Sequence, residues 1–310
     1  MPPGGAGHDA PFPSSEQDAP RRRSRVASVR RLMTFRSMSA GTAEEAEDPA
    51  KPATTILRQE ISSGTTQLER PTAGLLLSAI SAGLDLGFGP ALMAAVRAAT
   101  TGDGLSVRVA LSLAYSIGFV IVVLGRSELF TEHTTLAILP LLSRQTTLRK
   151  IGRLWLLVYT GNVIGGAVFA ALVGSIGLHL GIFSAANLDA IAQRILEPGW
   201  RTMFASAIVA GWMMGLVSWL VTASRETISQ IFSIVLLTGA IAFLRLHHCI
   251  AGTIEVLLSV FYGSTGAGGW LRFLVIASAG NAAGGTTFVA LVKYGHVRFP
   301  GPHVVPDHRG

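Results

Sequence analysis

Gly161-Asn162-Val163-Ile164-Gly165-Gly166-Ala167-Val168-Phe169-Ala170-Ala171-Leu172-Val173 returns 119 residues later. The second copy is Gly280-Asn281-Ala282-Ala283-Gly284-Gly285-Thr286-Thr287-Phe288-Val289-Ala290-Leu291-Val292. The offset holds upstream, pairing Arg126 with Arg245, Thr134 with Thr253 and Leu139 with Leu258. An unbroken register over about 48 positions marks two copies of one unit. Both copies lie in apolar sequence, and duplicated membrane units with a site at their interface are a recurring design for moving solutes.

The charge distribution sets the class. Of 310 residues only 14% are charged and 35 are Gly. Pro71 to Val96 carries one charge, Asp85, and Leu154 to Leu188 carries none in 35 residues. Val109–Gly125, Thr202–Ser224, Ile228–Leu244 and Phe273–Val292 are also free of Lys, Arg, Asp and Glu. Stretches near 20 apolar residues cross a bilayer as helices, because the hydrocarbon offers the backbone no water. The sequence reads as six spans, near 72–97, 109–143, 149–178, 200–223, 228–262 and 270–294. The second is interrupted near Glu128–His133 and the fifth near Arg245–Gly252, at equivalent places in the repeat. Three spans per copy turn the second copy over. The expected fold is an all-α membrane protein of two inverted three-helix repeats, about 71–178 and 190–295, in an aquaporin-like arrangement.

The termini differ. Residues 1–70 are rich in Pro, Ser, Gly and charge, with seven arginines between Arg21 and Arg36 and an acidic cluster at Glu44–Asp48. This reads as a disordered tail to about residue 53, then a short surface helix over Ile56–Leu68. The arginines are read as a solvated positive flank, with anionic lipid heads as the alternative partner. Deleting residues 1–53 is expected to leave folding and transport intact, and failure of the truncated chain to assemble in detergent would refute this. Residues 296–310 form a C-terminal tail. Arg144, Arg149, Lys150, Arg153, Arg225, Lys293 and Arg298 fall on the same side as the Arg-rich tail, whereas Arg97, Arg108, Arg194 and Arg201 fall opposite. That bias places both termini in the cytoplasm and the chain in the inner (plasma) membrane.

Polar residues inside apolar spans need a partner or a cavity. They collect in the two interruptions, Arg126-Ser127-Glu128-Leu129-Phe130-Thr131-Glu132-His133 and Arg245-Leu246-His247-His248-Cys249. Broken helices free backbone N–H groups, which suit an anion. Small residues such as Gly165 and Gly284 let helices approach closely, and Asn162 and Asn281 are placed to satisfy a broken backbone. Asp85 and Glu255 are isolated and take no role beyond capping or subunit contact. The lone Cys249 forms no intrachain disulfide. No metal-spaced His/Cys/Asp/Glu cluster, Gly-x-Ser-x-Gly or phosphate loop is present, so no cofactor and no enzymatic activity are expected.

The chain resembles the formate/nitrite transporter family over roughly residues 70–295. The resemblance rests on Glu128-Leu129-Phe130-Thr131, Trp155-Leu156-Leu157-Val158-Tyr159-Thr160-Gly161-Asn162, His248-Cys249-Ile250-Ala251 and Gly280-Asn281-x-x-Gly284-Gly285. It implies pentamers of six-span protomers, each with its own pore for small monovalent anions such as formate, nitrite or hydrosulfide. It makes His248 the central histidine and Thr131 the threonine opposite, with Phe119 and Ile241 at apolar constrictions on either side. His247-His248-Cys249, Gly211, Arg126 and Arg245 depart from the family's common pattern. His247 is read as structural or as a helix-end donor. Arg126 and Arg245 are either counter-charges to Glu128 and Glu132 or attractors for anions. Glu128 braces its loop, and Glu132 and His133 belong to loop or vestibule. In the implied mechanism His248 gives a proton to the anion and the neutral acid crosses. A pore for neutral solutes lacks the paired Asn-Pro-Ala signature, and a non-transporting scaffold using the tail is the remaining alternative. Nothing points to nucleic acid.

Overall fold

The computed structural model describes residues 50–299, so the tail expected before residue 50 and the last residues of the C-terminal tail lie outside the described residues. Among the described residues the regular structure is helical: α1 (Ala53–Glu69), α2 (Thr72–Leu86), α3 (Phe88–Ala99), α4 (Leu105–Leu124), α5 (Phe130–Leu136), α6 (Ile138–Leu142), α7 (Leu148–His179), α8 (Ala185–Leu196), α9 (Trp200–Ala223), α10 (Thr227–Phe243), α11 (Cys249–Tyr262), α12 (Ala267–Gly284), a π-helical segment (Gly285–Leu291) and α13 (Val292–Arg298). Five continuous stretches are long and apolar enough to cross a bilayer: Thr72–Ala99, Leu105–Leu124, Leu148–His179, Trp200–Ala223 and Ala267–Arg298. Two apolar helices, Thr227–Phe243 and Cys249–Tyr262, are shorter. α7, at 32 residues, is about 48 Å long, well beyond the roughly 30 Å of bilayer hydrocarbon.

The interruptions fall a few residues earlier than the sequence places them. They occupy 125–129 and 244–248, because the helix turns off at its C-terminal cap and not at the polar cluster behind it. Both caps share one geometry. Arg126 N–H donates to Val123 O and Ser127 N–H to Val122 O; Arg245 N–H donates to Ala242 O and Leu246 N–H to Ile241 O. This double bond closes a helix through a left-handed residue, usually Gly. Here that residue is Arg126 at φ 58° and Arg245 at φ 55°, which costs a side-chain-bearing residue roughly 1–2 kcal/mol.

The glycine motif brings backbones together. A Cβ at Gly165 would stand 2.1 Å from Ile80 O, and one at Gly284 2.0 Å from Ile208 O. α7 therefore lies against α2 as α12 lies against α9, and neither contact has room for a methyl group. Gly165→Val and Gly284→Val are expected to cost about 1–3 kcal/mol each through forced backbone movement, lowering the melting temperature in detergent. An unchanged melting temperature for both would contradict the packing described.

These contacts also reveal a second register. Ala79, Ile80 and Gly83 play toward Asn162 and Gly165 the parts that Ala207, Ile208 and Gly211 play toward Asn281 and Gly284, an offset of 128. The first helix of each unit is thus equivalent too. The first unit holds nine more residues between that helix and its break, so the 119-residue register stops there.

α1 packs against α6 and α9 and, with the Leu124 end of α4, borders one cavity. It turns Ile56, Leu57, Glu60, Gly64 and Leu68 inward. The buried Glu60 carboxylate accepts from Thr222 Oγ1 at 2.5 Å and from Ser218 Oγ at 3.1 and 3.2 Å, both on α9. Burial pushes its pKa above the ordinary carboxylate value, against the pull of those hydroxyls.

Candidate functional site

Each break is held by an asparagine from the neighbouring long helix. Asn162 Oδ1 accepts from Phe130 N–H at 2.8 Å, and its Nδ2 donates to Glu128 O and Ala79 O, both at 2.8 Å. Asn281 Oδ1 accepts from Cys249 N–H at 2.7 Å, and its Nδ2 donates to His247 O at 2.9 Å and Ala207 O at 2.7 Å. Each side chain satisfies one donor at the start of the returning helix and one carbonyl of the broken backbone, as buried polar groups require.

The sequence expected freed amides to meet an anion. The amides of Phe130 and Cys249 are instead taken by the asparagines, and that of Ala251 is taken by a histidine ring. His248 caps α11 with its Nδ1 accepting from Ala251 N–H at 3.2 Å. An accepting Nδ1 fixes the neutral tautomer with its proton on Nε2. That Nε2–H donates to Thr131 Oγ1, 3.0 Å away on α5. The Thr131 hydroxyl proton is then free to point elsewhere. Thr131 is fully buried and His248 nearly so. Phe119, from the middle of α4, meets the imidazole edge-on with ring centroids 5.0 Å apart. His248, Thr131 and Phe119 therefore meet in one place. Ile241 is buried on α10, beside Ala242 and Phe243, which line a cavity at the Leu105 end of α4.

The remaining candidates lie elsewhere. His247 is tied down: its N–H donates to Ser206 Oγ at 3.0 Å, its Nδ1 meets the same hydroxyl, and its Nε2 donates to Ile195 O at 3.0 Å. Arg126 and Arg245 stand away from the His248–Thr131 pair, one in each of two cavities. Glu128 makes an ion pair with Arg70 at 2.9 Å and a hydrogen bond with His133 Nε2 at 2.5 Å, which accounts for the first break's acid without Arg126. Asp85 accepts from Ser81 Oγ at 3.1 Å and Ser127 Oγ at 3.3 Å. Sequence reasoning missed Glu60, which reaches the cavity at the Leu124 end of α4 from what read as a surface helix. Its signal was a lone acid on the stripe Ile56, Leu57, Gly64, Leu68.

A bundle of bilayer-length helices, two of its elements interrupted part-way and closing on a buried hydroxyl–imidazole pair, defines a membrane transport protein. The chain belongs to the formate/nitrite transporter family, whose sequence model matches residues 54–295. It is 32% identical over 243 residues to the inner membrane protein YfdC of Escherichia coli strain K12, covering 76% of each chain. Its fold matches a solved FNT family ion channel with a TM-score of 0.71 at 18% identity, over 80% of this chain and 100% of that one. It also matches a pentameric formate channel with formate bound, with a TM-score of 0.62 at 20% identity, over 74% and 98% of the two chains.

Proposed function

We propose that the protein carries small monovalent anions of the formate, nitrite and hydrosulfide class across the membrane together with a proton, through the His248–Thr131 pair. The observation that carries this reading is the buried 3.0 Å contact between those two side chains, walled by Phe119. An unpaired anion in an apolar passage costs several kcal/mol or more, and its conjugate acid avoids most of that cost. The imidazole titrates near neutral pH when unperturbed, which suits it to hand over a proton there.

The geometry adds a condition. In the resting state Nδ1 is engaged as acceptor for Ala251 N–H, so the ring is the neutral Nε2 donor. Giving up Nε2–H from that state would leave an imidazolate. Transfer therefore runs from the imidazolium, with both nitrogens protonated and Nδ1 turned off the amide. An anion held by the Thr131 hydroxyl favours that state by its charge. The Nε2 proton then passes to the anion and the neutral acid leaves. The ring, neutral with its proton on Nδ1, takes up a proton on Nε2 and releases the one on Nδ1, which restores the cap.

The pentameric solved relative supports a homopentamer for this chain as well. The apolar side chains exposed along α4, α7 and α10, among them Leu113, Leu156, Leu172, Phe232 and Leu236, supply surface for neighbouring protomers and lipid. Native mass spectrometry is expected to give five copies; a stable monomer or dimer would overturn the pentamer. The inner-membrane relative supports a plasma-membrane location, and the Lys/Arg bias supports cytoplasmic termini. The activity is tested by flux of formate, nitrite and hydrosulfide into proteoliposomes, with protein-free liposomes as baseline. Saturable uptake of at least one is expected, and uptake of none above baseline would overturn the reading.

A further inference from the structure

The backbone is duplicated, but the charge at its two ends is not. At the Leu105 end of α4 a cavity of about 60 Å³ is lined by Arg97, Arg108, Arg194 and Arg245, with Glu255 as its one carboxylate. Asp103 beside it is shared among Arg194, Arg97 at 3.4 Å and Arg245 at 3.8 Å. The arginines, Arg194 first, hold its pKa below the ordinary carboxylate value. Four guanidinium groups thus face two acids.

At the Leu124 end a cavity of about 90 Å³ is lined by Glu60, Glu128 and Glu132, with Arg126 as its one cation among the described residues. Arg70 pairs with Glu128 from the side. Both cavities are lined by α4, one by Arg108 and the other by Val123. Fifteen residues of helix put those two about 22 Å apart. That exceeds the Debye length of roughly 8–10 Å at physiological ionic strength, so each mouth sets its own potential. Phe119, with His248 against it, lies between them on the same helix.

The repeat separates inheritance from addition. Arg126 and Arg245 are equivalent under the 119-residue register, and each closes its helix in the left-handed conformation that favours glycine. Duplication therefore supplies one arginine to each mouth. The equivalents of Arg108, Glu132 and Glu255 are Thr227, Ala251 and Leu136, none of them charged, and Arg194 lies on α8, outside the 119-residue register. The added charges are mainly basic at one mouth and acidic at the other.

Resting on the anion-transport reading, we propose that the arginine-lined mouth captures anions more tightly than the carboxylate-lined one, so that transport saturates at a lower concentration from the arginine side. A passive route cannot alter the equilibrium, so the ratio of maximal rate to half-saturation is equal in both directions. The sidedness lies in capture. The positive mouth concentrates anions and the negative mouth depletes them, so the half-saturation concentration is lower from the arginine side by about tenfold at low salt.

Right-side-out and inside-out membrane vesicles present opposite mouths, and radiolabelled formate measures the half-saturation concentration from each. Three proteins are compared. In Arg245→Gly the charge goes and the left-handed cap accepts glycine, so folding is not at risk. In Glu132→Gln the shape stays and the charge goes. The expected result is a roughly tenfold difference between vesicle types in the unaltered protein, shrinking toward equality in 0.5 M sodium sulfate. Arg245→Gly should raise only the lower value, and Glu132→Gln should lower only the higher one. Equal half-saturation from both sides with flux intact, or both variants shifting both sides alike, would overturn the sidedness alone. No saturable flux from either side would overturn the anion reading and the sidedness with it.

Discussion

Replacing His248 with asparagine is expected to leave a folded protein that has lost its response to pH and at least about a hundredfold of its flux at acid pH, the lower end of what a positioned proton donor contributes. Asparagine is a strong helix N-cap, and its Oδ1 can take the Ala251 N–H that His248 Nδ1 accepts at 3.2 Å. It has no proton to exchange near neutral pH. His248→Ala removes the cap as well, at about 1 kcal/mol of local stability, and should show the same flux loss with a small drop in melting temperature. In the unaltered protein, uptake rises as the pH on the loading side falls, because a larger fraction of rings carries the second proton when the anion arrives. Uptake by His248→Asn at unchanged rate and with an unchanged pH profile would show that the imidazole is not the proton donor.

The second large effect lies in the asparagines. Asn162→Leu leaves Phe130 N–H, Glu128 O and Ala79 O without the partners they have, and Asn281→Leu does the same to Cys249 N–H, His247 O and Ala207 O. Each orphaned buried group costs about 1–3 kcal/mol. Ala79 O and Ala207 O keep the N–H of the next turn of their own helices, so two groups are orphaned in each variant. The loss of about 2–6 kcal/mol reaches the lower end of the stability of a typical protein, about 5–15 kcal/mol. Neither variant is expected to give monodisperse protein in detergent. The corresponding Asp variants keep the acceptor but lose both donors, so they should also fail. Normal yield and melting temperature for Asn162→Leu would show that the break is held by something else.

Much of this was legible in the chain. The repeated Gly-Asn-x-x-Gly-Gly announced both asparagines and both tight helix contacts, because such motifs make sense only where a helix must touch another backbone. Thr131 and His248 were singled out by the resemblance to formate/nitrite transporters, carried by Glu128-Leu129-Phe130-Thr131 and His248-Cys249-Ile250-Ala251 in the two interruptions. What stayed hidden depends on geometry that spacing does not encode. The nine extra residues of the first unit break the register, so the kinship of Ala79, Ile80 and Gly83 with Ala207, Ile208 and Gly211 emerges only from what each touches. The arginines at 126 and 245 looked like possible partners for Glu128 and Glu132; as helix-closing residues they enter separate cavities, Arg126 beside those acids and Arg245 within 3.8 Å of Asp103. Glu60 was invisible because its partners, Ser218 and Thr222, lie some 160 residues on. The amides freed by the breaks looked like an anion site, and those of Phe130, Cys249 and Ala251 are occupied by Asn162, Asn281 and His248.

The measurement that bears most directly on the central claim is simultaneous recording of interior pH and membrane current in proteoliposomes given an inward formate gradient, against protein-free liposomes. If the anion crosses with a proton taken through His248, interior acidification rises above the protein-free rate, one proton per formate, with no net current, and His248→Asn returns it to that baseline. Formate-dependent current without acidification above baseline would show that the bare anion passes, and would contradict the account.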